Sequence, residues 1–102
     1  MTQILKLEDK TIIRTDSRID TTNAAQFEQD IQPVLSGAGL NVEMDCSELT
    51  YMSSSGLRII QNAMRAIMVN KGHFKMTNVR PEVYKVLAMT GFTKFMKVEQ
   101  KL

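Results

Sequence analysis

Apolar residues recur in this chain at two different periods, and the two periods take turns along it. Val42, Met44 and Cys46 alternate with Glu43 and Asp45, the period of two that belongs to a half-buried strand. Leu57, Ile60, Met64 and Ile67 then recur at spacings of 3, 4 and 3, with Arg58, Gln61, Asn62 and Arg65 between them, which is the apolar stripe of a helix. Before this pair, Ile4–Leu7 and Thr11–Arg14 are short apolar segments broken by Glu8, Asp9 and Lys10, a strand hairpin. Ala24, Phe27, Ile31, Val34 and Leu35 make a first helix face, with Pro33 near its end and Ser36–Gly39 stopping it. After it, Gly72 is expected to end the second helix. Phe74, Met76 and Val79 read as a strand. Pro81 opens a third helix whose inner face is Val83, Val86, Leu87 and Thr90, and Gly91 closes it. Phe95, Met96 and Val98 form a last short strand. The order β-β-α-β-α-β-α-β predicts one α/β domain with a mixed sheet of about four to five strands and helices packed on it. A chain of 102 residues leaves room for little else.

Several functional classes lack their residues. The only cysteine is Cys46 and the only histidine His73, so neither an intrachain disulfide nor a Cys/His zinc site can be built. Asp16, Asp20 and Asp45 follow no metal-binding spacing and are expected to cap turns and end strands, so no metal or other cofactor is expected. The longest apolar run, Ala66–Val69, is far short of a membrane span. The start of the chain has no signal-peptide pattern, and the expectation is a soluble cytoplasmic protein. With no tryptophan and few aromatics, an aromatic platform for nucleic acid is not expected. The eight methionines read as core filler. Net charge is only +2, but residues 1–51 hold 4 basic and 9 acidic side chains while residues 52–102 hold 9 and 2. Such a split is compatible with a nucleic-acid surface, with an acidic partner or with neither.

Ser53-Ser54-Ser55-Gly56 stands at the start of the strongest helix. One serine there caps the helix. The same place suits a phosphate, because a helix N-terminus offers free N–H groups and positive dipole potential. Nucleophilic catalysis is not expected. Met52 occupies the position where a Gly-x-Ser-x-Gly elbow around Ser54 needs its first glycine, and His73 is the only available base. Gly37-Ala38-Gly39 follows a helix and precedes a strand, the reverse of the dinucleotide-binding order. It is a loop.

Asp45-Cys46-Ser47-Glu48-Leu49-Thr50-Tyr51-Met52-Ser53-Ser54-Ser55-Gly56-Leu57 resembles the signature of the STAS domain (sulfate transporter and anti-sigma factor antagonist). Ser17-Arg18-Ile19-Asp20-Thr21-Thr22-Asn23-Ala24 is similar to the segment that precedes that family's first helix. Asn78–Val83 and Leu87–Phe92 are similar to its third helix and the Thr-Gly-Phe end. The three matches run in order over nearly the whole chain.

The resemblance implies an anti-sigma factor antagonist. Such a protein is not an enzyme: it binds an anti-sigma factor that is also a serine kinase, and a serine phosphatase resets it after phosphorylation. Carried onto this sequence, the phosphorylated serine is Ser54. The partner-binding residues are Asp20, Thr21, Thr22, Ser54, Gly56, Leu57 and Arg58. Two positions depart from the family pattern. Ser53 stands where an aspartate is usual, which makes Ser53 and Ser55 alternative phosphosites, and Ser17 stands where a glycine is usual. The alternative within the family is a STAS module of a larger signalling or lipid-transport assembly that is never phosphorylated. Binding to nucleic acid would rest on the basic second half alone.

Overall fold

A computed structural model describes residues 2–101. The expected hairpin forms from β1 (Gln3–Lys6) and β2 (Thr11–Arg14), paired antiparallel with Ile4 opposite Ile13. From β2 onward the main sheet is parallel: β4 (Asn41–Asp45), β6 (His73–Val79) and β7 (Lys97–Gln100) add in turn, giving the order β1-β2-β4-β6-β7. The crossovers carry α1 (Ala24–Ile31), α2 (Ser54–Val69) and α3 (Pro81–Met89). This is the expected mixed sheet, with five strands.

Register decides which side the helices cover. Ile13, Met44, Met76 and Val98 lie in one row across the strands, and Val42 pairs with Phe74 on the same face. These residues join Phe27, Ile31, Ile60, Ile67, Val83 and Leu87 of the helices in a single core. The residues between them face the other side, where Leu5, Ile12, Glu43, Lys75 and Lys97 form a row. There Glu43 bridges Lys10 at 3.6 Å and Lys75 at 3.3 Å, and Lys75 also reaches Glu99 at 3.3 Å. Cross-strand ion pairs of this kind suit a solvated sheet face.

Two further strands escape the period-based reading. β3 (Arg18–Ile19) and β5 (Tyr51–Met52) pair parallel, apart from the main sheet. Two residues are too few to show any period, so their pairing is fixed by tertiary packing. Five other details differ from expectation. α1 ends at Ile31, and Pro33 sits in a 3-10 turn over Gln32–Val34: Gln32 keeps helical backbone angles, but Pro33 has no N–H to continue the helical hydrogen bonds. The left-handed residue after α2 is Lys71, with φ 63°, not Gly72. Gly72 instead permits close packing: a Cβ there would stand 2.6 Å from the Leu40 carbonyl oxygen. In α3, Val83 and Leu87 are buried but Val86 and Thr90 are exposed. The Thr90 hydroxyl donates back to the Val86 carbonyl at 2.9 Å and so serves the helix end. Phe95 lies before β7, next to the 3-10 turn Phe92–Lys94, and is exposed. Met44, Met52, Met64, Met76 and Met96 fill the core as expected, whereas Met68 and Met89 are exposed.

Among the described residues no helix is long and apolar enough to cross a membrane.

Candidate functional site

The serines sit toward the carboxyl end of the parallel strands, between β5 and α2. Ser53 is the N-cap of α2. Its backbone is extended, and its Oγ accepts the Gly56 N–H at 3.2 Å while its carbonyl accepts the Leu57 N–H at 3.0 Å. A serine thus performs the capping that a short acidic side chain would perform at this position. Ser54 is the first helical residue and is exposed; Ser55 is half-buried. The N–H groups of Ser54 and Ser55 lie in the first turn, where no helical carbonyl can accept them. Arg58 follows Ser54 by one turn and is exposed on the same side of the helix.

The β3–β5 pair brings a second segment to these serines. Ile19 lies opposite Met52, the Ser53 N–H donates to the Ile19 carbonyl at 2.8 Å, and the Thr50 N–H donates to the Ser17 carbonyl at 2.8 Å. Asp20 therefore lies alongside Ser53, with the main chains at about the strand spacing of 4.8 Å. The Thr22 hydroxyl and N–H both donate to Asp20 Oδ1, and Arg18 Nε approaches Oδ2 at 3.4 Å. These contacts, the Thr22 hydroxyl first, hold the Asp20 carboxyl below the usual carboxylate range. Asn23 ties the segment into a loop by accepting the Asp20 N–H and donating to the Arg18 carbonyl, each at 2.8 Å. Thr21 and Thr22 are exposed, at the start of α1.

Gly56 and Leu57 are at the site without being on its surface. Leu57 is a core residue, 9% exposed. Gly56 is buried where the first turn of α2 rests on the strand pair, and a Cβ there would stand 2.7 Å from Ile19 Cγ2 and 3.0 Å from Met52 Cγ. The glycine after the serine run lets the helix start touch the segment that carries Asp20. Of the sequence-derived residues, Asp20, Thr21, Thr22, Ser54 and Arg58 have polar groups toward solvent; Gly56 and Leu57 hold them in place.

No sequence signal brings Arg18 and Tyr51 to the site, but the register does. They are cross-strand partners, and the Arg18 guanidinium lies 4.6 Å from the centroid of the Tyr51 ring. Tyr51 remains 45% exposed, so an aromatic face and a cation flank the Asp20 loop. A second network lies at the ends of β4 and β6. Asp45 Oδ1 accepts from Ser47 N–H at 3.0 Å and from Asn78 at 3.1 Å, and Arg14 pairs with Oδ2 at 3.3 Å. Burial opposes ionisation of Asp45, but these hydrogen bonds outweigh it and lower its pKa. Arg80 Nε donates to the Ser47 carbonyl at 2.8 Å, fixing the loop that leads to β5. Asp20 and Asp45 therefore organise turns. His73 begins β6, at the opposite end of the sheet from Ser54. Among the described residues no three His, Cys, Asp or Glu side chains cluster as metal ligands.

The model of the STAS domain family matches residues 2–102. The chain belongs to the STAS domain family. A curated relative, the Bordetella bronchiseptica protein BtrV, named for anti-sigma factor antagonism, is 24% identical over 93 residues, covering 91% of this chain and 80% of its own. An anti-sigma factor antagonist from Mycobacterium paratuberculosis has the same STAS fold, with a TM-score of 0.88 at 20% identity over 100% of this chain and 86% of that one. SpoIIAA, a Bacillus cell fate determinant whose structure is known in unphosphorylated and phosphorylated forms, is similar with TM-scores of 0.80 and 0.74. Identity is 23% and 22%, over 96% of this chain and 87% and 90% of those chains.

Proposed function

We propose that this STAS domain is an anti-sigma factor antagonist whose binding face is the Asp20 loop together with the start of α2, and whose control point is the Ser54 hydroxyl. The supporting observation is the division of labour within the serine run. Ser53 is committed to capping, Ser55 is half-buried, and Ser54 alone is exposed, next to a loop whose carboxylate is held ionised. In the free-hydroxyl state the face is compact and carries one anionic group, Asp20, beside the Arg18–Tyr51 pair. A partner that is both anti-sigma factor and serine kinase would dock there and thereby release its sigma factor.

Phosphorylation of Ser54 adds roughly −1.5 to −2 charge at pH 7. The helix itself tolerates that charge, because its first turn has free N–H groups and no acidic residue. The interface does not. A dianion close to the Asp20 carboxylate concentrates negative charge that the partner must desolvate. A loss of about 2.8 kcal/mol would weaken binding a hundredfold. A serine phosphatase would restore the face.

The test is to incubate the protein with its genome's anti-sigma factor kinase and ATP, then map the phosphate by mass spectrometry. Modification at Ser54 with release of the partner is expected. Phosphate found only outside 53–55, or none at all with binding intact, would leave a STAS binding module without the switch.

A further inference from the structure

The amino end of the parallel strands, opposite Ser54, holds an open groove of about 540 Å³ lined by Asp9 and Lys10 on one side and by Met68, Phe95 and Lys97 on the other. Its walls are unusual for a free surface. Phe95 is 69% exposed and Met68 56%, although both could have been polar at no cost to the core. Beyond the Asp9 side, Leu5 near the end of β1 and Leu7 in the β1–β2 turn are 40% and 47% exposed, and Leu7 is followed by Glu8 and Asp9. The end thus has two apolar patches beside one groove. One is edged by the acids Glu8 and Asp9. The other is edged by Lys71, after α2, and by Lys94, beside Phe95. Among the described residues none of these four charges has an ion-pair partner, whereas Lys10, Glu43, Lys75, Lys97 and Glu99 of the neighbouring sheet face are paired with one another.

We infer that this groove is a homodimer interface, occupied by a second copy of the chain. A two-fold interface requires each patch to meet its complement on the partner and to be met in return. Two adjacent patches of opposite charge, each with apolar anchors, satisfy that requirement. A two-fold axis beside the groove sets Leu7, Glu8 and Asp9 of one copy against Phe95, Met68, Lys71 and Lys94 of the other, and the reverse contact forms at once. The acidic first half and basic second half of the chain then meet across the dimer. The Ser54 ends point away from each other, so the dimer presents two independent partner-binding faces. This inference uses none of the residues of the proposed switch.

Sedimentation velocity of the full chain over a wide concentration range tests it. A concentration-dependent dimer that weakens with added salt is expected. Phe95→Lys should raise the dissociation constant about tenfold or more. The double reversals Glu8→Lys with Asp9→Lys, and Lys71→Glu with Lys94→Glu, should each be monomeric, and an equimolar mixture of the two should dimerise again. Circular dichroism checks that the exposed substitutions leave the fold intact. A wild-type monomer at every concentration overturns the inference and leaves the groove to a different protein. A dimer indifferent to Phe95→Lys and to both reversals also overturns it, and so does failure of the mixture to associate.

Discussion

Replacing Gly56 by alanine separates two opposing effects that the structure allows to be weighed. At an open helical position, glycine to alanine stabilises by about 1 kcal/mol, because alanine loses less backbone entropy on folding. At Gly56 the new Cβ would stand 2.7 Å from Ile19 Cγ2 and 3.0 Å from Met52 Cγ. Ile19 is β-branched and 1% exposed, so it cannot swing aside; relief requires moving the strand pair off the helix. Overpacking of this kind costs about 1–3 kcal/mol. The difference leaves a net loss of about 1 kcal/mol, or a fall in Tm of about 4–8 °C for a domain near this size. Urea unfolding followed by circular dichroism gives the sign directly, with an unchanged m-value showing that stability has changed without a change in the surface exposed on unfolding. Amide shifts in a two-dimensional NMR spectrum should concentrate at Ile19, Asp20, Met52 and Ser53. A variant more stable than the parent by about 1 kcal/mol would refute the claim that α2 is seated on the strand pair.

Three other outcomes follow from the same geometry. Ser53→Ala removes the side-chain acceptor of the Gly56 N–H and should cost about 1 kcal/mol in urea unfolding, while Ser54→Ala, which removes an exposed hydroxyl, should stay within about 0.5 kcal/mol of the parent. Asp45 has a folded pKa below its unfolded value, so its contribution to stability is complete above about pH 4 and is lost as pH falls through the lower folded value; Asp45→Asn should flatten the acid limb of the stability curve in that window, and an unchanged limb would contradict the network around Asn78 and Ser47. Cys46 is buried, and desolvation together with nearby Asp45 pushes its thiol up to about 12; a thiol reagent at pH 8 should label it only after unfolding, and rapid labelling of the native protein would show that the core beside β4 opens.

The parts of the fold with enough residues to show a period could be read in advance. The 3-4-3 stripe of α2 and its serine cap reappear in the structure, as do the alternation in β4 and the antiparallel hairpin at the start. What the pattern could not carry is the β3–β5 pair, since Arg18–Ile19 and Tyr51–Met52 are each a single step of a strand. Their pairing depends on a tight seat between Gly56, Ile19 and Met52, which is a three-dimensional fit. The positions of the site residues follow the same division. Ser54, Asp20 and the threonines could be placed on one face by resemblance, and the register explains why they meet. The burial of Gly56 and Leu57 and the arrival of Arg18 and Tyr51 came only with the packing. In α3, Val86 looked like an inward residue because it completes an apolar series, yet Val83 and Leu87, four apart, already fill the inner face of that helix.

The charge asymmetry of the chain has two consequences at opposite ends of the molecule. At the Ser54 end a single phosphate, if added as proposed, would take the net charge from +2 to about zero at pH 7, a large change confined to one loop and one helix start. At the far end, Asp9 lines the groove with Glu8 beside it in the chain, while Lys71 follows the groove residue Met68 and Lys94 precedes the groove residue Phe95.

The affinities of two single-residue variants for the purified anti-sigma factor, measured by isothermal titration calorimetry, test Ser54 as the control point most directly. Ser54→Ala should bind as the unmodified protein does. Ser54→Asp, which places a charge at the first helical residue beside Asp20, should bind about tenfold more weakly or worse. Equal affinity of the two variants would contradict Ser54 as the point of control.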